Sequence, residues 1–175
     1  LVIDIGSNDG TSLNNFSKSY KLIGIDPTIK KLKNHYRKDI ITIPNFFNKN
    51  LINNYIKKQK AKIITTISMF YDLPNPIKFA EDIYDCLDQD GIWHLEQSYM
   101  PYMIKNTSYD TICHEHLEYY SLYSIKFIFD YVGFKIIDLE FNDINGGSFA
   151  ITVAKKKSKF KEINKIVDWL LKKED

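Results

Sequence analysis

The chain has 175 residues, of which 44% are hydrophobic, 14% aromatic and 26% charged. Lys and Arg total 24 against 22 Asp and Glu, a formal net charge of +2. This profile describes one globular domain with a full core, and it excludes a disordered chain. It also lacks the basic footprint that dominates nucleic-acid binding, so no nucleic-acid partner is expected. No apolar run approaches the ~18–20 residues of a bilayer span, and no membrane partner is expected. Cys86 and Cys113 are too few for a disulfide framework and point to a reduced, cytoplasmic setting. The first residues already read as a strand, which suggests a partial chain lacking upstream and downstream parts. The oligomeric state is left open.

In chain order, Leu1–Ile5 is a strand ending at Gly6, and the next helix starts near Thr11. Lys21–Ile25 is a second strand stopped by Asp26-Pro27. Ile29, Leu32 and Tyr36 share one helical face. Ile40–Pro44 is a third strand, and Leu51, Ile52, Tyr55 and Ile56 mark a helix. Ile63–Ile67 is continuous and β-branched, as in a strand buried on both faces. Pro74-Asn75-Pro76 opens a helix with Ala80, Ile83, Tyr84 and Leu87 on its apolar side, and Gly91–Glu96 is a fifth strand. Ser121 caps a helix closed by Gly133. Phe134–Phe141 and Ser148–Ala154 form an antiparallel hairpin around an Asn/Gly connection, and Phe160–Leu171 is a terminal amphipathic helix. The pattern predicts an α/β fold: a doubly wound, mostly parallel seven-stranded sheet with an antiparallel C-terminal hairpin. Residues 1–155 are expected to form the main domain and 156–175 a C-terminal helix.

Ligands of such sheets sit beyond the carboxyl ends of the strands. That directs attention to Gly6–Gly10, Asp26, Ser68–Asp72 and Gln97–Tyr99. In Asp4-Ile5-Gly6-Ser7-Asn8-Asp9-Gly10, the glycines permit close approach or positive φ, and amides at the helix start can hold an anionic group. The spacing is G-x-x-x-G, with Asn8 where a dinucleotide fingerprint wants its middle Gly. Asp4 and Asp9 would repel a pyrophosphate and suit a ligand bearing an ammonium or sulfonium. Asp26 can take both hydroxyls of a ribose.

D-I-G-S-N-D-G followed by I-D-P resembles the S-adenosylmethionine site of class I methyltransferases. The resemblance implies that the Gly6–Gly10 turn, with Asp4, Ser7, Asn8 and Asp9, faces the methionine part of the cofactor. Asp26, followed by Pro27, would bind its ribose, while Phe46, Phe47, Met69, Phe70 and Tyr71 would line the adenine or sulfonium region. A second block, Asp110 to Ser121 with Cys113-His114-Glu115-His116 at its centre, followed later by Asn145-Gly146-Gly147-Ser148, is similar to the sugar C-methyltransferase family. Those enzymes methylate carbon on nucleotide-linked keto-deoxysugars. The resemblance implies His116 as general base, with Glu115 as its partner or a substrate ligand. His114 is a second candidate base or substrate ligand. Two departures stand out: Cys113 replaces a usual aromatic, and Phe70-Tyr71-Asp72 stands where many relatives read Phe-Ala-His.

Gln97, Tyr99, Tyr119, Tyr120, Asn145, Gly146 and Gly147 are candidate substrate contacts. The tyrosines read equally well as core, and Asn145-Gly146-Gly147 is at minimum a turn. No metal is expected, because no second Cys/His cluster completes the Cys113, His114, His116 set. Three alternatives stay open: an O- or N-methyltransferase, a nicotinamide-dependent or nucleotide-binding module, and a domain without turnover.

Overall fold

The structure, a computed structural model, describes residues 1–57 and 59–174. Seven strands form one sheet: β1 (Val2–Ile5), β2 (Leu22–Ile25), β3 (Ile41–Ile43), β4 (Ala61–Ile67), β5 (Leu87–Ser98), β6 (Phe134–Asn142) and β7 (Ser148–Lys155). Their order is β3-β2-β1-β4-β5-β7-β6. The first five run parallel, and β7 enters antiparallel to both β5 and β6. The order reverses between β1 and β4, so the strand ends there splay into a crevice. The expected mostly parallel sheet with an antiparallel end is therefore the observed one.

β1 and β2 are buried at every position, which is why their sequences are uninterrupted apolar runs apart from Asp4 and Gly24. Among the described residues seven α-helices accompany the sheet: α1 (Thr11–Asn14), α2 (Ile29–Leu32), α3 (Lys49–Ile56), α4 (Pro76–Cys86), α5 (Met100–Lys105), α6 (Leu122–Val132) and α7 (Asn164–Glu174). α4 starts with Pro76 at its first turn, and the Asn75 side chain accepts from the Lys78 amide. α6 has a reciprocal Ser121–Ser124 capping box and ends on Gly133 at φ 104°. No helix among the described residues is long and apolar enough to cross a membrane.

Three boundaries differ from the sequence-based reading. Leu87 begins β5 instead of ending α4: it is fully buried, and Gly91 lies so close to β4 that a Cβ there would be 2.7 Å from the Ala61 carbonyl. The ladder shifts register between Ala61 and Ile63, so the Asp88–Asp90 stretch continues the strand. α2 stops at Leu32 and passes through a short 3₁₀ turn, which leaves Tyr36 outside any helix. α7 starts at Asn164, after Ile163 has donated its amide to the Ile136 carbonyl of β6. Val167 of α7 is buried in the main core, and the Glu174 carboxylate accepts from the Leu122 and Tyr123 amides at the start of α6.

Candidate active site

The turn after β1 is built on left-handed residues: φ is 75° at Gly6, 46° at Asn8 and 78° at Gly10. Asn tolerates this region better than most residues, so Asn8 follows the bend without a glycine. Gly10 donates to the Ser7 carbonyl (2.7 Å), and the Asp9 carboxylate accepts from the Thr11 amide (3.0 Å). α1 has only four residues and its Thr11 amide is taken, so its start offers less to an anion than the sequence suggested. The Thr11 side chain, and after it the Thr11 amide, hold the Asp9 carboxyl below its ordinary range by hydrogen bonding to it.

Tyr36 is the support that sequence reasoning missed. Its hydroxyl donates to the Asn8 carbonyl and meets the Ser7 hydroxyl, both at 2.8 Å. Burial pushes its pKa up to about 12. A Cβ on Gly10 would lie 2.6 Å from the Tyr36 ring. Gly10→Ala is therefore expected to lose at least about 1–2 kcal/mol from the left-handed backbone alone, with more from displacing the ring. A melting temperature within about 1 °C of the parent would refute this account of the turn.

Asp26, at the end of β2, holds the same turn. Its Oδ2 accepts from the Asn8 amide (3.0 Å), and its Oδ1 accepts from the amide (2.7 Å) and hydroxyl (2.6 Å) of Thr28. A carboxylate offers about four acceptor sites, so a ribose could take a free one or displace the Thr28 hydroxyl. Beneath the turn, Asp4 is 3% exposed and accepts from the Thr65 hydroxyl at 2.6 Å. Desolvation raises its pKa to about 6, with nearby Asp26 adding to the rise.

A cleft of about 250 Å³ opens at the strand ends. Gly6, Asp26, Pro27, Phe46, Phe47 and Met69 line it, as expected for a cofactor cleft, and Asp72 lines it too. A Cβ on Gly6 would lie 2.9 Å from Met69 Cγ, so the missing side chain keeps the cleft floor open. Phe46 and Phe47 also border an adjoining depression of about 770 Å³. Asp4, Ser7, Asn8, Asp9 and Gly10 do not line the cleft; they form the scaffold behind it. Phe70 is a correction to the sequence reading. It is fully buried beside Phe79, Trp93 and Tyr120, because the 3₁₀ turn at residues 70–72 drives its ring into the core. Tyr71 also turns from the cleft, toward His116, with ring centroids 4.2 Å apart.

His116 lies in the non-helical segment between α5 and α6 and is partly buried. Its neighbours diverge: Glu115 pairs with His114, Oε1 to Nε2, at 3.1 Å. Cys113 donates to Glu115 and helps hold its carboxyl low, after the larger effect of a backbone bond. No group of three or more metal-ligating side chains occurs among the described residues.

The expected substrate residues divide in two. Tyr99 is core: its ring meets Tyr102, Phe141 and Phe149, its hydroxyl donates to Glu174 at 2.6 Å, and burial raises its pKa. Gly146 and Gly147 close the β6–β7 turn against Ser108 and Tyr102, and Asn145 sits in it at φ 54°. Tyr119 is exposed, with its ring 6.4 Å from His116, and it lines an apolar hollow with Met100 and Ile112. Among the described residues, the Gln97 amide and the Tyr120 hydroxyl are buried without partners. Groups left so are costly and mark where a polar partner would be welcome.

A family model described as a methyltransferase domain matches residues 1–139. The chain belongs to the methyltransferase-domain family. It is 28% identical over 156 residues to the C-methyltransferase NovU of Streptomyces niveus, covering 88% of this chain and 37% of that protein. The chain thus spans little more than a third of that curated relative. Among solved structures, the LepI complex with S-adenosylmethionine superposes with a TM-score of 0.68 at 14% identity, over 89% of this chain and 42% of LepI. The plantazolicin methyltransferase BpumL, in complex with a triazolic desmethylPZN analogue and S-adenosylhomocysteine, gives 0.67 at 14% identity, over 88% and 76%. A further match, also 0.68 at 14% and over 89% and 42%, is described as a pericyclic reaction enzyme, so this fold does not by itself fix the chemistry.

Proposed function

We propose that this domain transfers a methyl group from S-adenosylmethionine to a carbon next to a carbonyl, on a nucleotide-linked keto sugar, with His116 as general base. One observation carries the reading. Residues 69–72 join the two halves of the chemistry: Met69 and Asp72 line the cleft, and Tyr71 between them holds His116. His116 thereby packs on the turn that carries the cleft-lining Met69 and Asp72, which supports its reading as the base. Likeness to the C-methyltransferase NovU supports a carbon acceptor.

The cleft suits the cofactor by its own chemistry. The Asp26 carboxylate on the cleft wall, with the buried Asp4 behind it, favours a cation, and Phe46, Phe47 and Met69 give apolar walls. When bound, S-adenosylmethionine supplies an electrophilic methyl group whose leaving thioether is neutral and needs no acid. His116 would take the proton from the substrate carbon, leaving its electron pair to form the new carbon–carbon bond. The test is to incubate the protein with the keto sugar and S-adenosylhomocysteine in deuterium oxide. Deuterium should enter the carbon next to the carbonyl without methylation. Methyl transfer to oxygen or nitrogen with no such exchange would replace this reading.

The raised pKa of Asp4 makes cofactor binding pH-dependent. A cation in the cleft favours ionised Asp4, so binding should release a proton. Affinity for S-adenosylmethionine, which carries the sulfonium, should then rise roughly tenfold between pH 5 and pH 7 and level off above, as the site passes its pKa of about 6. For stability the sign is opposite. The folded form holds the proton more tightly, so this group's contribution is greatest in acid and falls as pH rises through about 6. Asp4→Asn should flatten both trends in calorimetric titration and thermal melts. An unchanged affinity profile in that variant would exclude Asp4 from cofactor binding.

A further inference from the structure

The outer face of α6 is aromatic where a surface helix is ordinarily polar. Tyr123, Phe127 and Tyr131 recur every fourth residue and are 70%, 61% and 65% exposed, while Leu122, Ile125 and Phe129 fill the inner face. The Phe127 and Tyr131 rings stack on each other, with centroids 6.5 Å apart. Three such rings leave roughly 300–500 Å² of aromatic surface in one stripe, as much as the largest patch on a typical monomer. At a rise of about 1.5 Å per residue, the stripe runs about 12 Å along the helix.

Toward the Tyr123 end lies a hollow of about 350 Å³ between α6 and the start of α4. Pro76, Ile77, Phe127 and Ile128 give it apolar walls, and Glu118 and Tyr120 line it too. Glu118 is exposed and takes part in none of the ion pairs among the described residues. Tyr120 is buried, and among the described residues its hydroxyl has no partner. The hollow thus combines apolar walls, a free carboxylate and a buried hydroxyl that lacks an acceptor. A phenol answers all three: its ring suits the walls, its oxygen accepts and its O–H donates. The stripe itself carries one, Tyr131, at the end away from the hollow.

We propose that this face of α6 docks on the same face of a second copy of the chain, as a two-fold homodimer. Antiparallel pairing of the two helices, with Phe127 at the axis, sets Tyr131 of each copy opposite Tyr123 of the other. Tyr131 of one copy then enters the hollow of the other, where its oxygen accepts from Tyr120 and its O–H donates to Glu118. The contact forms twice, as an isologous interface requires. A second copy is the occupant because one face carries both the projecting phenol and, at its other end, the hollow that fits it. Stripe and hollow fall short of the roughly 800 Å² per partner of a standard interface, so the dimer is weak, with a Kd of about 1–100 µM. This pairing makes no use of the cofactor cleft or of His116.

The test is sedimentation equilibrium of the chain over about 1–300 µM, with thermal melts at the dilute end. The parent mass should rise from one chain toward two across that range. Phe127→Glu should hold the chain at one copy throughout and move the dilute melting temperature by less than about 2 °C, because the position is exposed. Tyr131→Phe removes only the hydroxyl and should weaken the dimer at least about fivefold, since the contact is lost twice. Tyr120→Phe should weaken it as well, yet leave the dilute melting temperature unchanged or higher, because the monomer loses an orphaned hydroxyl. In a Cys113→Ser background, chains carrying Tyr123→Cys and Tyr131→Cys should form a disulfide with each other and far less with themselves. A mass of one chain at every concentration would overturn the dimer and leave the face to a different partner. A dimer that survives Phe127→Glu would place the interface elsewhere, and self-linking of Tyr131→Cys as strong as the mixed pair would overturn the antiparallel arrangement.

Discussion

Replacing His116 with alanine is expected to lower turnover by about 10²–10⁴-fold, the usual contribution of a positioned general base. Affinity for S-adenosylhomocysteine should stay within about twofold of the parent, because the role proposed for His116 is on substrate and not on cofactor. His116 is absent from the cleft wall, and neither the Gly6–Gly10 turn nor the Asp26 contacts depend on it. The loss should appear in kcat more than in KM, since the base is needed when the carbon gives up its proton. Methyl transfer from labelled cofactor measures the first quantity and calorimetry the second. Turnover within about threefold of the parent would assign the base elsewhere, with His114 next to examine. An Asp26→Ala protein is a poor control for cofactor binding, because it also removes three bonds that hold the turn. Asp26→Asn keeps an acceptor on that side chain and is the better comparison.

The fold was legible because its signals were local. Each buried parallel strand is an apolar run closed by a turn residue, and the crevice follows once the strands are ordered. Six of the thirteen expected cofactor residues line the cleft for the same reason: they follow strand ends directly. What stayed hidden depends on contacts between distant segments. Nothing near Tyr36 reveals that its hydroxyl supports a turn 28 residues earlier. Phe70 and Tyr71 are adjacent, yet a 3₁₀ turn sends one into the core and the other to His116. Glu115 turned to His114 because consecutive residues in an irregular segment need not share a face. Asp72 stood out only as a departure from a family pattern, and its place on the cleft wall is visible only in the folded chain. A sequence also cannot show the orphaned Gln97 amide, since its lack of partners belongs to the folded interior.

The largest loss of stability is expected from Trp93→Ala. Trp93, on β5, is fully buried, and its ring meets Phe70, Phe79, Phe129 and Phe134 at centroid distances of 5.7, 6.5, 5.5 and 5.6 Å. Those rings come from the turn after β4, from α4, from α6 and from β6, so one side chain joins four elements to the sheet. Its indole nitrogen donates to the Thr66 hydroxyl at 2.9 Å, and truncation would leave that buried hydroxyl without its partner. Removing an aromatic of this kind costs about 3–5 kcal/mol, and for a domain of this size that lowers the melting temperature by roughly 6–20 °C. A typical domain has only about 5–15 kcal/mol in total, so the variant should lie close to its limit at 37 °C. Trp93→Phe keeps most of the packing and should lose much less. The site should respond as well: Phe70 rests on Trp93 and anchors the turn that carries Tyr71 and Asp72. Below its melting point Trp93→Ala should therefore bind cofactor more weakly and give a broadened His116 resonance, whereas Trp93→Phe should preserve both. A melting temperature within about 2 °C of the parent would show that these rings pack independently and that Trp93 does not join them.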